Sequence, residues 1–331
     1  MSAPADSSAI TPARPIPVRT VTLLAPCYNE ELVLPAYYER VSALAAAQPS
    51  RAFHFLFVND GSTDRTAALL DALAAHDPRV QVIHLAANRG HQIALTAGLD
   101  AADSDLVVIL DADLQDPPEV AAEMILKADE GFDVIHAQRR QREGETLFKR
   151  LTAALFYRLM QRLATHAWLA DVGDFRGLSR RAVHALRRYR EPHRFVRGLA
   201  MDLGFKQCVI QYDRAARAAG ETKYPLRKMV LLALDAALSF STVPIRAIIW
   251  LSFVLWCVSL PYLAWGLYAK FVLHQTVQGW TSIIMLIVFF AGVQLFCMGV
   301  IGLYVARIFE QGQRRPLYNI METRNLPPPS P

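Results

Sequence analysis

From Val21 to about Ala137 the chain alternates short apolar runs that lack internal periodicity with longer stretches whose apolar residues recur three and four apart. The first pattern suits strands buried on both faces, the second helices that bury one stripe. The spacing predicts strands at Val21–Pro26, Phe53–Val58 and Val80–Leu85, over the run ending at Leu110, and near Phe132–Ala137. Between them it predicts helices from about Leu32 to Ala47, from Ser62 or Thr63 to about Ala75, from Gln92 to Ala101, and from Pro117 to about Glu130. Pro117 and Pro118 suit a first helical turn capped by Asp116, and Ser62 or Thr63 suits the cap of the helix that runs to about Ala75. A short helix after Arg181 and an edge strand over Lys206–Tyr212 follow. Strand and helix in alternation predict an α/β fold with a doubly wound, mostly parallel sheet.

Toward the C-terminus the pattern changes. Leu226 to Phe240 sets a leucine-rich face beside Arg227 and Lys228, as a helix lying in a membrane interface does. Between Arg246 and Lys270 no charged residue occurs, a length of roughly 35 Å as helix and enough to cross a bilayer. A second such span runs from about Trp280 to Ala306, with Trp280 and Tyr304 placed for the two interfaces. Arg246, Arg307, Arg314 and Arg315 flank one side, against Lys270 and His274 on the other, so both termini are expected on the cytoplasmic face.

Placing the polar turns after successive strands collects Tyr28–Glu31, Asn59–Asp64, Asn88–His91 and Asp111–Asp116 along one edge of the sheet. Open α/β sheets bind ligands at that edge. The apolar run Val107-Val108-Ile109-Leu110 stops abruptly at Asp111-Ala112-Asp113. Two carboxylates one residue apart across a tight bend can converge on a hard divalent cation carrying phosphate. Each turn also has a plainer explanation: Asp60 and Asp64 as turn and capping residues, His91 as a surface residue at a helix start, Asp-x-Asp as an acidic bend. No Gly-x-Gly-x-x-Gly follows the first strand and no Gly-Lys-Ser/Thr occurs, which removes the main support for a dinucleotide fold or a P-loop. Further along, Gln138–Glu145 has no apolar face and reads as a solvated loop or as a basic flap over an anionic substrate. An amphipathic segment, Thr146 to about Ala164, follows it. Asp174 has aromatic and cationic neighbours, and Arg194 and Arg197, three apart, fit one helix face, for ion pairs or for phosphate.

Composition narrows the partners. The 331 residues are 53% hydrophobic, room for a full α/β domain plus a membrane region. A net charge of +5 is modest, and the basic residues cluster at Arg139–Arg150, Arg180–Arg197 and Arg214–Lys228. That distribution fits anionic groups at defined places and no nucleic acid. Cys27, Cys208, Cys257 and Cys297 have no metal-like spacing and read as reduced and structural. The Ala-, Pro- and Ser-rich start and the proline-rich end after Leu326 read as disordered tails.

Several segments together resemble one family, the polyprenyl-phosphate glycosyltransferases, membrane-attached members of glycosyltransferase family 2 with a GT-A nucleotide-sugar domain. They are Tyr28-Asn29-Glu30-Glu31, Asn59-Asp60-Gly61-Ser62-Thr63-Asp64, Asn88-Arg89-Gly90-His91-Gln92, Asp111 through Glu119, Asp174-Phe175-Arg176, Arg194-Phe195-Val196-Arg197-Gly198 and Gly220-Glu221-Thr222-Lys223-Tyr224. The nearest branch is similar to the bacterial bactoprenol glucosyltransferases, which implies transfer of glucose from UDP-glucose to undecaprenyl phosphate. Cys27 and Asn59 depart from the family, which commonly has a small apolar residue and a second Asp there.

The resemblance implies a nucleotide-sugar site of Tyr28, Glu30, Asp60, Asp111, Gln115, Arg217 and Lys223, with Asp60 at the uracil or ribose. It implies Mg²⁺ or Mn²⁺ on Asp111 and Asp113, and an acceptor-phosphate site of Arg139, Lys149, Arg150 and Arg194. Asp113, Asp174 and Arg197 are the expected catalytic residues, in a single inverting displacement. A lipid monophosphate is already largely dianionic at neutral pH, which makes Asp174 a positioning group rather than an essential base. GDP-mannose, UDP-galactose, a UDP-N-acetylhexosamine or a UDP-aminopentose are the alternative donors, and a non-catalytic nucleotide-sugar-binding membrane scaffold is the alternative class.

The expected organisation is a disordered tail over 1–19, a GT-A domain over 20–224, an amphipathic juxtamembrane helix over 225–243, two transmembrane helices over 244–309 and a cytoplasmic C-terminal tail over 310–331. The expected setting is the inner membrane, with the lipid bilayer as partner and a homo-oligomer allowed.

Overall fold

The computed structural model describes residues 17–140, 172–192, 194–213, 243–272 and 279–326. Two compact units divide the chain. The first holds a sheet in the order β7-β5-β6-β4-β1-β2-β3-β8. Its strands are β1 (Thr20–Cys27), β2 (Ala52–Asn59), β3 (Val80–Leu85), β4 (Leu106–Ile109), β5 (Val134–Arg139), β6 (Val172–Ser179), β7 (Gln207–Tyr212) and β8 (Ile320–Arg324). Helices α1 (Leu34–Ala46), α2 (Thr66–His76), α3 (His91–Ala101), α4 (Val120–Asp129), α5 (Arg180–Leu186) and α6 (Val196–Asp202) belong to the same unit.

The continuous apolar runs become the parallel centre of the sheet: β1 pairs with β2 and β4, and β2 with β3, all parallel. Leu23, Leu24, Phe55, Phe57, Val82 and Val108 are buried there, as strands covered on both faces require. Helix α3 lies close against β1 because Gly98 has no side chain; a Cβ there would stand 2.1 Å from Leu24 Cδ1. The strand order reverses between β4 and β1, which opens a crevice at their carboxyl ends.

Two strands were not expected from the sequence pattern. β6 runs antiparallel between β4 and β5. β8, in the segment read as a tail, pairs antiparallel with β3 and closes that edge, while residues 327–331 lie outside the described residues. The N-terminal tail also ends sooner than expected: Val18 is buried, its N–H donating to Asp129 Oδ1 at 2.8 Å. Neither predicted helix cap is used. Glu119 and Arg65 hold the N-cap positions of α4 and α2, and Asp116 is turned inward instead.

The second unit contains α7 (Val243–Phe271) and α8 (Trp280–Gly312). Among the described residues one helical segment, Phe289–Gly312, is apolar and long enough to cross a membrane. Its Leu295, Phe296, Met298 and Phe309 are exposed. The predicted amphipathic stretches at Thr146–Ala164 and Leu226–Phe240 lie outside the described residues.

Candidate active site

Three turns at the crevice are bound into one framework. After β1, Asn29 takes a left-handed conformation (φ 56°). Its amide N–H donates to Ser62 Oγ at 3.1 Å, and its Oδ1 accepts from Thr63 N at 2.8 Å. Next to it, Glu30 N donates to Thr66 Oγ1 at 2.8 Å and Glu31 N to Asp64 Oδ2 at 3.3 Å. Asp60, buried at the end of β2, accepts from Arg89 N at 2.7 Å and Gly90 N at 2.8 Å, joining the second turn to the third. Burial raises its pKa against the lowering effect of these two amides. Tyr28 stands exposed just before Asn29 in this framework.

The acidic centre lies where β4 ends. β4 and β6 are in register through Ile109 and Arg176, and extending that register by two residues sets Asp111 opposite Asp174. Between them stands His91, the first residue of α3, with Nε2 3.6 Å from Asp111 Oδ1 and 3.4 Å from Asp174 Oδ2. Asp174 Oδ2 also accepts from Gln92 Nε2 at 3.0 Å and lies 3.6 Å from Arg197 Nη2. Beneath it the fully buried Arg176 donates to the carbonyls of Gly173 (2.7 Å), Asp174 (3.2 Å) and Arg197 (3.2 Å), tying β6 to α6.

These surroundings separate the two acids. Burial raises Asp111 to about 6, with His91 opposing and Asp174, Asp116 and Asp113 reinforcing. Burial also acts to raise Asp174, yet the His91 hydrogen bond and the positive charges of Arg197, Arg176 and His91 outweigh it and hold Asp174 well below the usual carboxylate range. Burial would lower His91, but its two acidic neighbours raise it. Asp174 is therefore an ionised, well-anchored group and a poor proton acceptor at neutral pH.

On the other flank, Arg139 ends β5 with Nε 3.2 Å from Tyr212 Oη and Nη2 3.9 Å from Asp116 Oδ1. Tyr212 donates in turn to Asp116 Oδ1 at 2.5 Å. This holds the Arg139 guanidinium near Gly173, next to Asp174 in sequence.

Of the residues expected at the site, the fold brings Tyr28, Glu30, Asp60, Asp111, Asp113, Gln115, Asp174, Arg197 and Arg139 to the crevice edge. Lys149, Arg150, Arg217 and Lys223 lie outside the described residues. Arg194 is a correction. It precedes α6 rather than sharing a helix face with Arg197, and it is buried with its guanidinium donating to the carbonyls of Tyr189 and Leu186. Those carbonyls lie at and just beyond the end of α5, so the guanidinium is engaged there rather than standing open at the crevice. His91, Gln92, Arg176 and Tyr212 were missed as individual site residues. For His91 and Gln92 the available signal was their place in the third turn.

A divalent cation fits the donor set at Asp111 and Asp113. Asp111 Oδ1 is buried without a hydrogen bond, and Leu114 turns back in a left-handed conformation (φ 58°) so that Asp113 Oδ1 accepts from Gln115 N at 3.0 Å. Among the described residues no group of three or more His, Cys, Asp or Glu side chains is arranged to hold a metal. A cation here would take two carboxylates and complete its shell from substrate phosphate and water, as Mg²⁺ commonly does.

The Glycosyl transferase family 2 profile matches residues 22–187. An uncharacterized glycosyltransferase of Bacillus subtilis, YkcC, is 42% identical over 92% of this chain and 94% of its own length. The bactoprenol glucosyl transferase of Shigella phage SfV is 37% identical over 91% of this chain and 97% of its own. A prophage bactoprenol glucosyl transferase homolog of Escherichia coli is 35% identical over 92% and 99%.

Proposed function

The chain belongs to glycosyl transferase family 2 and is a glycosyltransferase, and from that premise we propose that it moves a hexose, glucose from UDP-glucose, onto undecaprenyl phosphate or a similar polyprenyl phosphate. The observation that carries the acceptor is the near-full-length identity to bactoprenol glucosyl transferases, which extends past the sugar-nucleotide domain through the apolar C-terminal region.

In this reading the acceptor phosphate oxygen bonds to the anomeric carbon as the bond to the UDP oxygen breaks, inverting the configuration. The framework of Asn29, Asp60 and Ser62 seats the nucleoside against Tyr28. Asp111 and Asp113 would hold Mg²⁺ or Mn²⁺, which when bound supplies positive charge for the leaving diphosphate. Donor and acceptor are both anions, and Arg139 and Arg197 reduce their repulsion. Asp174, kept ionised by His91 and Arg197, orients Arg197 and the sugar; the dianionic acceptor needs no strong base. Lys149, Arg150, Arg217 and Lys223 are proposed to add to the phosphate sites.

The exposed apolar surface of Phe289–Gly312 supports membrane attachment. We take α7 as a second span, the domain as cytoplasmic and the stretch after 225 as interfacial. Attachment raises the effective concentration of a lipid acceptor whose phosphate lies at headgroup level.

The test is transfer from radiolabelled UDP- and GDP-sugars to undecaprenyl phosphate in detergent, with Mg²⁺ or EDTA, by wild type and Asp113→Asn. Metal-dependent glycolipid from one donor, absent in the variant, identifies the sugar. No glycolipid from any donor would overturn the reading of the acceptor.

A further inference from the structure

A line of hydrogen bonds runs from the C-terminal strand, behind the sheet edge, to the turns at the crevice. Arg324 of β8 donates through Nε to Asp71 Oδ1 on α2 at 2.9 Å. The same oxygen lies 3.3 Å from His84 Nε2 on β3, and His84 Nδ1 lies 3.0 Å from Asn59 Nδ2 at the end of β2. Asn59 Oδ1 accepts from Ser62 N at 3.0 Å, and Ser62 Oγ accepts from Asn29 N at 3.1 Å.

The proton positions follow from the ends of this line. Ser62 N–H requires the oxygen of Asn59, so the Asn59 amide presents its NH₂ to His84. His84 Nδ1 is therefore the acceptor and Nε2–H the donor to Asp71. His84 is 1% exposed and Asn59 4% exposed, so a broken link leaves polar atoms beyond the reach of water. This gives Asn59 a structural part: it fastens the turn to His84.

Strand β8 is held firmly enough to act as a support. Asn325 Nδ2 donates to the carbonyls of Ala74 (2.7 Å) and Val80 (2.8 Å), and Tyr318 Oη to Asp100 Oδ2 (2.7 Å). The half-exposed Arg324–Asp71 pair is worth little by itself. Its effect is to fix Asp71 where His84 needs an acceptor.

We propose that His84 is a positioning residue for the donor-side turns, oriented by Asp71 and Arg324, so that the segment following the last membrane helix forms part of the donor site's support. The proposal rests on the reading of those turns as the nucleotide edge.

The test uses the full chain in detergent, titrated calorimetrically with UDP and with GDP, alongside donor KM and kcat. The variants are Arg324→Met, His84→Phe, Asn59→Ala and the Arg324→Met/Asn59→Ala double. Nucleotide affinity is expected to fall about threefold in Arg324→Met and about tenfold in His84→Phe, with kcat changed less than about twofold. In the Asn59→Ala background Arg324→Met should add nothing, because the line is already cut. Additive losses, or a loss confined to kcat, would overturn the proposal. Amide exchange at Ser62 and Thr63 gives a second reading without nucleotide and without the His84 variant: faster exchange in Arg324→Met supports the support role, unchanged exchange overturns it. A wild type that binds neither nucleotide would overturn the donor-site reading and the functional role of His84 with it, whatever the exchange rates show.

Discussion

Tyr212 and Asp116, on β7 and in the turn after β4, share a 2.5 Å hydrogen bond in which the phenol donates to a carboxylate that is 1% exposed. Phe175 packs edge-on against the Tyr212 ring at 5.3 Å between centroids, and Arg139 Nε donates to the Tyr212 hydroxyl oxygen. The phenol thus fixes both an acid and a cation at the crevice. Tyr212→Phe keeps the ring packing and removes the phenol donor from a buried carboxylate. A loss of about 1–3 kcal/mol of stability is expected. The freed Arg139 should raise the KM for the acceptor more than the KM for the donor; thermal unfolding and two-substrate kinetics read the two effects separately.

Gly61 sits at φ +66°, and a Cβ there would lie 2.6 Å from the backbone nitrogen of Asn88. Neither the left-handed backbone nor the contact between the second and third turns tolerates a side chain. Gly61→Ala is expected to cost about 2 kcal/mol or more. The turns must part, and donor affinity should fall with stability. An alanine variant with wild-type melting and wild-type UDP affinity would contradict this account of the framework.

What the sequence made legible was what hydrophobic burial dictates. Runs such as Phe55–Val58 and Val107–Leu110 are short, rich in β-branched or aromatic residues and bounded by turn signals, which marks them as buried strands, and their order already places Asp111 at the ligand edge. β6 was hidden because Val172-Gly173-Asp174-Phe175-Arg176-Gly177-Leu178-Ser179 carries buried polar groups whose partners are far away in sequence, Arg176 bonding to the carbonyl of Arg197 being the clearest. β8 was hidden because Ile320-Met321-Glu322-Thr323-Arg324 carries two charges in five residues, and its acceptance at the sheet edge depends on Asp71 and Ala74. The role of His91 follows from the Asp111–Asp174 register, which exists only once β6 is known. Arg194 shows the converse: a guanidinium in a basic cluster looks free until the carbonyls of Leu186 and Tyr189 are placed.

Asp113 and Asp174 should respond differently to loss of charge. In the proposed mechanism Asp113 lies on the diphosphate side, where charge develops as the bond breaks, and Asp113→Asn is expected to lower kcat by about 10²–10³. Asp174, proposed to work through Arg197 and the sugar, contacts Gln92 and His91, and an asparagine there keeps an oxygen for both. Asp174→Asn should retain clearly more activity. Near-equal losses in single-turnover rate would instead make Asp174 a direct participant.

The Asp111 carboxyl, raised by burial to about 6, is expected to set the acid limb of activity. As pH falls through that value the carboxylate takes up a proton and ceases to bind a cation, so kcat/KM for the donor should drop. Stability responds with the opposite sign. The folded state holds this proton more tightly than the unfolded chain, so acidification from about 6 toward the usual carboxylate range relieves a destabilisation. Asp174 does not obscure that window: its pKa is depressed, so its stabilisation persists through it and is lost only in stronger acid. His91 is raised and contributes on the acid side, its share fading as pH rises through its folded value. Divalent cation competes with the proton on Asp111, so the activity midpoint should move to lower pH as Mg²⁺ is increased. The measurement is donor kcat/KM against pH at two Mg²⁺ concentrations, with melting curves in the same buffers. An acid limb that does not move with Mg²⁺ would remove Asp111 from the metal site.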